Sequence, residues 1–265
     1  MLTPGMQAYY ARLGERERLR VPPTGRLEYL RTWDLLTRVL PAAPARVLDV
    51  GGATGVYAGP LAAAGYRVHV VDPLPEHVSE AAALPGVTAA VGDARRLAEP
   101  DASADAVLLL GPLYHLIERA DRVRAWREAA RVVRPGGVVA AATIGRYAAA
   151  FDGLARGFYR LDGYAGVVDS TLETGVHEPG DRPWFTTAYF HEPGEAAAEA
   201  SEAGLTVHQV AVIEGPLWIA GRLGEILDDE AETAHLLRVL RRVENDPGLL
   251  ASSSHLMTVA RVTDG

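Results

Sequence analysis

Asp49, Asp72, Asp93 and His115 each follow a short apolar run, and successive members stand about twenty residues apart. The first opens Asp49-Val50-Gly51-Gly52-Ala53-Thr54-Gly55. Glycines there let the backbone reverse sharply and approach a ligand with no Cβ in the way. In nucleotide-binding α/β proteins an acidic residue about twenty residues beyond such a turn hydrogen-bonds ribose hydroxyls, and Asp72 holds that place. The set predicts a nucleoside-cofactor site. His115, with an ordinary pKa of about 6.5, suits proton removal at neutral pH and is the candidate general base.

The glycine spacing separates two cofactor chemistries. A dinucleotide fingerprint reads Gly-x-Gly-x-x-Gly and opens a helix facing a pyrophosphate. Gly51 is followed by Ala53 and then Gly55, so no such pattern runs through this turn. A nicotinamide-dependent oxidoreductase is therefore the weaker alternative. The chain also has no lysine for a Tyr-x-x-x-Lys pair. There is no Gly-x-Ser-x-Gly elbow and no P-loop.

Strands that end together must carry these residues. Apolar runs at 46–50, 67–71, 87–91, 106–110 and 138–142 read as buried parallel strands. Helical patterns at 56–64, 76–83 and 120–133 alternate with them, which predicts a parallel sheet covered on both faces. A helix over 24–40 precedes the first strand, with Leu27, Leu30, Trp33, Leu36 and Leu40 at helical spacing and Pro41 as its stop. Residues 143–192 break the rhythm and hold Tyr147, Phe151, Phe158, Tyr159, Tyr164, Trp184, Phe185, Tyr189 and Phe190. Helices are expected at 146–158 and 164–173 and a loop at 177–183. The block reads as an insertion or lid, too short for a core of its own. A helix at 195–203, a strand at 206–213, a helix at 223–244 loosened around 228–230, and a last strand at 255–262 complete the alternation. Residues 1–40 are read as an N-terminal helical cap and 41–265 as the main domain.

Composition narrows the function classes. The chain has 265 residues, is 48% hydrophobic, and carries a formal net charge of −8. That balance gives no electrostatic footprint for nucleic acid or an anionic membrane. There are no cysteines, which removes disulfides, thiol nucleophiles and thiolate metal sites. The eight histidines form no His-x-x-x-His pair, so no metal is expected. With no membrane-length apolar run and no signal-peptide pattern, a cytoplasmic protein is expected. Oligomeric state is not legible.

At this point the chain resembles the class I S-adenosylmethionine-dependent methyltransferases. Their first motif reads Asp/Glu-x-Gly-x-Gly-x-Gly. Asp49, Gly51 and Gly55 match it, and Ala53 stands at the middle glycine. Asp72 matches the family's ribose-binding acid, and Asp93 the acid that meets the adenine amino group. Gly111 to Leu116 matches the motif near the transferred methyl, and Val132 to Gly137 the turn before the fifth strand. The resemblance covers about 25–142. It implies a Rossmann-like seven-stranded sheet, mostly parallel, with an antiparallel last strand inserted between the fifth and sixth. It implies S-adenosylmethionine as methyl donor and S-adenosylhomocysteine as product. The segment from Gly5 to Thr32 also looks like a small-molecule subgroup with an early Tyr-Tyr and a Gly-Arg-Leu-Glu-x-x-Arg-Thr run, matched by Gly25, Arg26, Leu27, Glu28, Arg31 and Thr32.

The expected cofactor contacts are Arg31, Asp49, Gly51, Gly52, Gly55, Asp72, Pro73, Asp93, Ala94 and Gly111. Arg31 is placed there as a fork for the methionine carboxylate, against the alternative of a solvated helix face. Glu28 could assist a substrate N–H, but is read first as surface charge. Tyr10 joins His115 in the catalytic group. Tyr9, Tyr114, Tyr147, Trp184 and Tyr189 are the expected acceptor contacts. The aromatic block favours a small, planar or apolar acceptor, such as an aromatic or indole-like specialised metabolite. A non-catalytic, cofactor-binding regulatory protein on the same scaffold is the other alternative.

Overall fold

The computed structural model describes residues 15–263 apart from residues 181 and 183. Strands β1 (Arg46–Val50), β2 (Arg67–Asp72), β3 (Val87–Val91), β4 (Ala104–Leu109) and β5 (Val133–Gly145) run parallel in the order β3-β2-β1-β4-β5. The helices among them are α1 (Pro23–Val39), α2 (Ala58–Ala63), α3 (Pro75–Ala82), α4 (Pro112–His115) and α5 (Arg119–Val132). Side-chain alternation along each strand splits the core between the two faces. Val47, Ala106, Leu108 and Val138 bury against Leu35 and Leu36 of α1 and Leu61 of α2. Leu48, Val107, Leu109 and Val139 bury against Trp126 and Ala129 of α5.

The insertion contributes α6 (Ala148–Arg156), α7 (Tyr164–Thr174), β6 (Val176–His177) and β7 (Ala188–His191). The sheet therefore has nine strands among the described residues, where seven were expected. The core of seven is present, and β6 and β7 are the additions. The stretch expected to be a loop from 177 begins in β6, which pairs antiparallel with β7. β5 outruns its expected end at 142, and Ile144 and Gly145 pair in parallel with Phe190 and His191 of β7. Strands of two and four residues are too short for a period of two to register in the sequence. The block also packs around a small apolar cluster of its own, including Ala148, Tyr164, Val168, Trp184 and Phe190. The Tyr164 hydroxyl donates to the Ala149 carbonyl at 2.7 Å.

The chain returns through α8 (Glu195–Glu202), β8 (Thr206–Val212), α9 (Leu223–Asp228), α10 (Glu230–Val243) and β9 (His255–Arg261). The expected break near residue 229 is present, and the Asp229 side chain caps α10 by accepting from the Glu232 N–H. As expected, β9 runs antiparallel between β5 and β8, with Ile144 opposite His255. That register sets the first residue of β9 at the carboxyl edge of the parallel strands. Leu27 of α1 packs with Leu223, Leu227, Leu236 and Leu240, so α1 lies between the sheet and the C-terminal helices. No helix among the described residues is long and apolar enough to cross a membrane.

Candidate active site

One cavity opens along the carboxyl ends of β1, β2 and β4, and extends past the start of β9 to α1. It encloses about 1250 Å³ of space, its open mouth included.

Asp49 stands at its floor, at the end of β1. It is 1% exposed, and among the described residues neither carboxylate oxygen has a hydrogen-bond partner. Burial first, and then the Asp72 charge, push its carboxyl up to about 7. Burying an ionised carboxylate with no donor is costly, so a ligand cation is the group this side chain lacks. The turn above it is shaped to that end. A Cβ on Gly52 would come within 2.6 Å of the Asp49 carboxyl, and Gly51 has a φ of +71°. Gly55 serves packing, not the cavity: a Cβ there would meet Leu84 at 2.6 Å.

Asp72 ties this turn to the exit of β2. It accepts from the Ala53 N–H at 3.0 Å and the Leu74 N–H at 3.0 Å, and pairs with His77 Nδ1 at 3.1 Å. Ala53 has a φ of +47°, a left-handed conformation that disfavours any residue with a Cβ. Asp93 is forked by Arg95 at 2.9 and 2.6 Å, and Arg95 reaches on to Asp121 at 2.7 Å. That fork holds the Asp93 carboxyl well below the usual carboxylate range. Pro73, Ala94 and Gly111 also line the cavity.

His115 ends the short helix α4 and lines the cavity beside Tyr114, whose ring meets it edge-on at 4.6 Å. Burial pulls its pKa down to about 4, against the Asp72 charge and a hydrogen bond with the Thr187 backbone. At neutral pH the imidazole is uncharged, as a proton acceptor must be, but its basicity is low.

Other expected contacts lie elsewhere. Arg31 is fully buried and does not line the cavity. Its guanidinium donates to the Ile213 carbonyl at 3.0 Å, to Glu244 at 2.9 Å, and to Asp34 on the next turn of α1. It is neither a carboxylate fork for a ligand nor a solvated charge. Trp184 is buried in the insertion core, edge-on to Tyr164 at 4.8 Å. Tyr189 packs under Arg122, whose guanidinium sits 3.7 Å from the ring centroid, and donates to Glu195. Tyr147 precedes α6 and is 38% exposed. None of the three lines the cavity, because these aromatics pack into the insertion or face outward. Tyr9 and Tyr10 lie outside the described residues.

The structure brings in residues that the sequence reading passed over, Arg18, Tyr57, His77 and His255, and one that it set at the surface, Glu28. Glu28 is no surface charge, since it lines the cavity and takes a forked pair from Arg18 at 2.7 and 3.0 Å. His255 carried a usable signal. If the last strand is antiparallel, its first residue must fall at the carboxyl edge. Ligand atoms of Glu28, Glu214 and His255 lie within 4.8 Å of one another, a grouping no local motif reveals.

Comparison with known proteins agrees with this geometry. Residues 47–137 match a methyltransferase domain model. An uncharacterized methyltransferase of Mycobacterium tuberculosis (strain ATCC 25618 / H37Rv) is 44% identical over 100 residues, 37% of this chain and 40% of that protein. A ubiquinone biosynthesis O-methyltransferase of Xylella fastidiosa (strain 9a5c) is 31% identical over 192 residues, 70% of each chain. The chain belongs to the S-adenosylmethionine-dependent methyltransferases. The match spans 40% of the length of the mycobacterial relative. A solved methyltransferase from Thermotoga maritima, described as a possible histamine N-methyltransferase, shares the fold. It has a TM-score of 0.58 at 18% identity, over 97% of this chain and 99% of that one. The family's donor carries an ammonium, ribose hydroxyls and an adenine. The unpartnered Asp49 carboxylate, the Asp72 turn and the Asp93–Ala94 wall fit those groups in the order that the methyltransferase sheet presents them.

Proposed function

We propose that this chain transfers a methyl group from S-adenosylmethionine to a small-molecule acceptor held in the same cavity. The observation that carries the reading is the buried, unpartnered carboxylate of Asp49 at the end of β1. When bound, the sulfonium supplies an electrophilic methyl carbon, so the protein's task is chiefly to align a nucleophile in line with it. Asp49 holds the methionine ammonium, Asp72 and Pro73 hold the ribose, and Ala94 and Asp93 flank the adenine. Gly111 and Tyr114 border the methyl. His115 takes the proton of an acceptor that enters in its neutral form, and its low basicity suits an acidic one. A compact acceptor suits the space beside Leu19, Val56 and Ile213, which line the cavity. Calorimetry with S-adenosylmethionine, followed by transfer from a labelled methyl donor to a panel of small acceptors, tests the reading. Saturable binding with transfer to at least one acceptor supports it. Binding without transfer to any would make the chain a cofactor-binding regulator, and no binding would sink the reading.

A further inference from the structure

The end of the cavity away from Asp72 contains a built polar device. His255 Nδ1 lies 2.6 Å from Glu214 Oε1 and 4.0 Å from Glu28 Oε2. Glu214 is 2% exposed, and its other oxygen accepts the His255 backbone N–H at 3.0 Å and the Ser253 hydroxyl at 3.2 Å. One carboxylate therefore fixes both the backbone and the ring edge of the residue that opens β9. Arg18 forks onto Glu28, so the groups facing the ring are two carboxylates and one further cation.

With Nδ1 committed, Nε2 is the remaining polar edge of a side chain that lines the cavity. Among the described residues nothing is hydrogen-bonded to it. Burial alone would lower the pKa of this imidazole, but the Glu28 and Glu214 charges and the Glu214 hydrogen bond outweigh it and raise the pKa to about 9. At neutral pH the ring is an imidazolium, which has two N–H donors and no acceptor. It is no base. It presents a charge-assisted N–H to the cavity, and such bonds are stronger than neutral ones. The carboxylates nearest it are already matched by Arg18 and by the ring itself. An amine there would meet an N–H donor, while an anionic oxygen would be attracted by it.

We propose that His255, fixed by Glu214, donates from Nε2 to an anionic oxygen of the methyl acceptor, so that the acceptor is a compact weak acid (a phenol, enol or carboxylic acid) bound as its anion. This rests on the reading above that donor and acceptor share one cavity. The metal alternative is disfavoured because Nδ1 carries a proton toward Glu214, and Arg18 occupies Glu28.

The test uses the full chain saturated with S-adenosylhomocysteine, histidine-selective nitrogen-15 spectra, and four probes: benzoate, 4-nitrophenolate, benzamide and benzylamine. One or both acids should move the His255 Nε2 resonance saturably and bind about tenfold or more tighter than benzamide or benzylamine, the worth of one charge-assisted hydrogen bond. His255→Gln should abolish that preference and keep S-adenosylhomocysteine binding, and Glu214→Gln should bring the His255 titration down toward its ordinary value. No saturable binding of either acid, equal binding of benzylamine, or a preference that survives His255→Gln would overturn the proposal. So would a His255 shift produced by zinc with no acid present. Should His255→Gln fail to fold, the wild-type titration decides alone. Failure of S-adenosylhomocysteine to bind refutes the methyltransferase reading itself, whereas failure of the acids to discriminate refutes only this inference.

Discussion

At one end of the cavity Asp49 is buried with no partner among the described residues, and at the other His255, Glu214, Glu28 and Arg18 are partnered with one another. Behind α1, Arg31 shows the paired condition taken further, with Asp34 and Glu244 on a guanidinium that is fully buried. Burying charge costs free energy in all three places. Where the protein supplies the counter-charge, the group holds structure together or presents a fixed edge. Where it does not, the cost stands until a ligand arrives. On the proposed reading the contrast makes Asp49 the donor-binding charge, while Arg31 is paired within the protein.

Removing the most paired group should have the largest effect on stability. Arg31→Ala takes the fully buried cation from Asp34 and Glu244, which keep only the part-exposed Arg38 and Arg241, and should cost about 3 kcal/mol in urea unfolding. The fraction that remains folded should keep its affinity for S-adenosylhomocysteine, since Arg31 does not line the cavity. A selective loss of affinity would restore Arg31 as a ligand contact and break the contrast.

Asp49 should behave in the opposite sense. Its folded pKa of about 7 lies above the ordinary carboxylate value, so between about pH 4 and 7 the folded state holds a proton that the unfolded state has lost. Without ligand, stability should therefore fall as pH rises across that window, by about 2–4 kcal/mol. Asp49→Asn should flatten this slope in pH-dependent urea titrations.

His255 gives a slope of the same sign at higher pH. With its pKa raised to about 9, its contribution is complete below about pH 6.5 and is lost as pH climbs through 9, about 2 kcal/mol in all. Glu214→Gln should remove most of that loss. A variant as pH-sensitive as the wild type would separate the two residues.

The smallest effect concerns the turn itself. Ala53 holds a left-handed φ, and Ala53→Gly should raise stability by about 1 kcal/mol, read as a higher Tm.

The donor end was legible in the sequence because it is local. Most of the parallel strands read as short, largely apolar runs, and the polar residues at or just past their ends line the cavity. Asp49, Asp72 and His115 could thus be placed from their immediate neighbours. The other end joins residues 18, 28, 214 and 255, and no window of sequence contains that set. Arg31 looked like a ligand contact or a solvated charge because Glu244, one of its partners, is more than two hundred residues away. The aromatic block misled for a related reason. Clustering along the chain does not say which way rings face, and Trp184 and Tyr189 pack within the protein instead of into the cavity.

The central claim is that Asp49 is the charge left open for the methyl donor. Calorimetric titration of S-adenosylhomocysteine into wild type and Asp49→Asn at pH 7.5 tests it most directly. The account predicts saturable binding to the wild type and a loss of about tenfold or more in the variant, with the variant at least as stable as the wild type before ligand is added. Equal affinity in the two proteins, or no binding to the wild type, would contradict it.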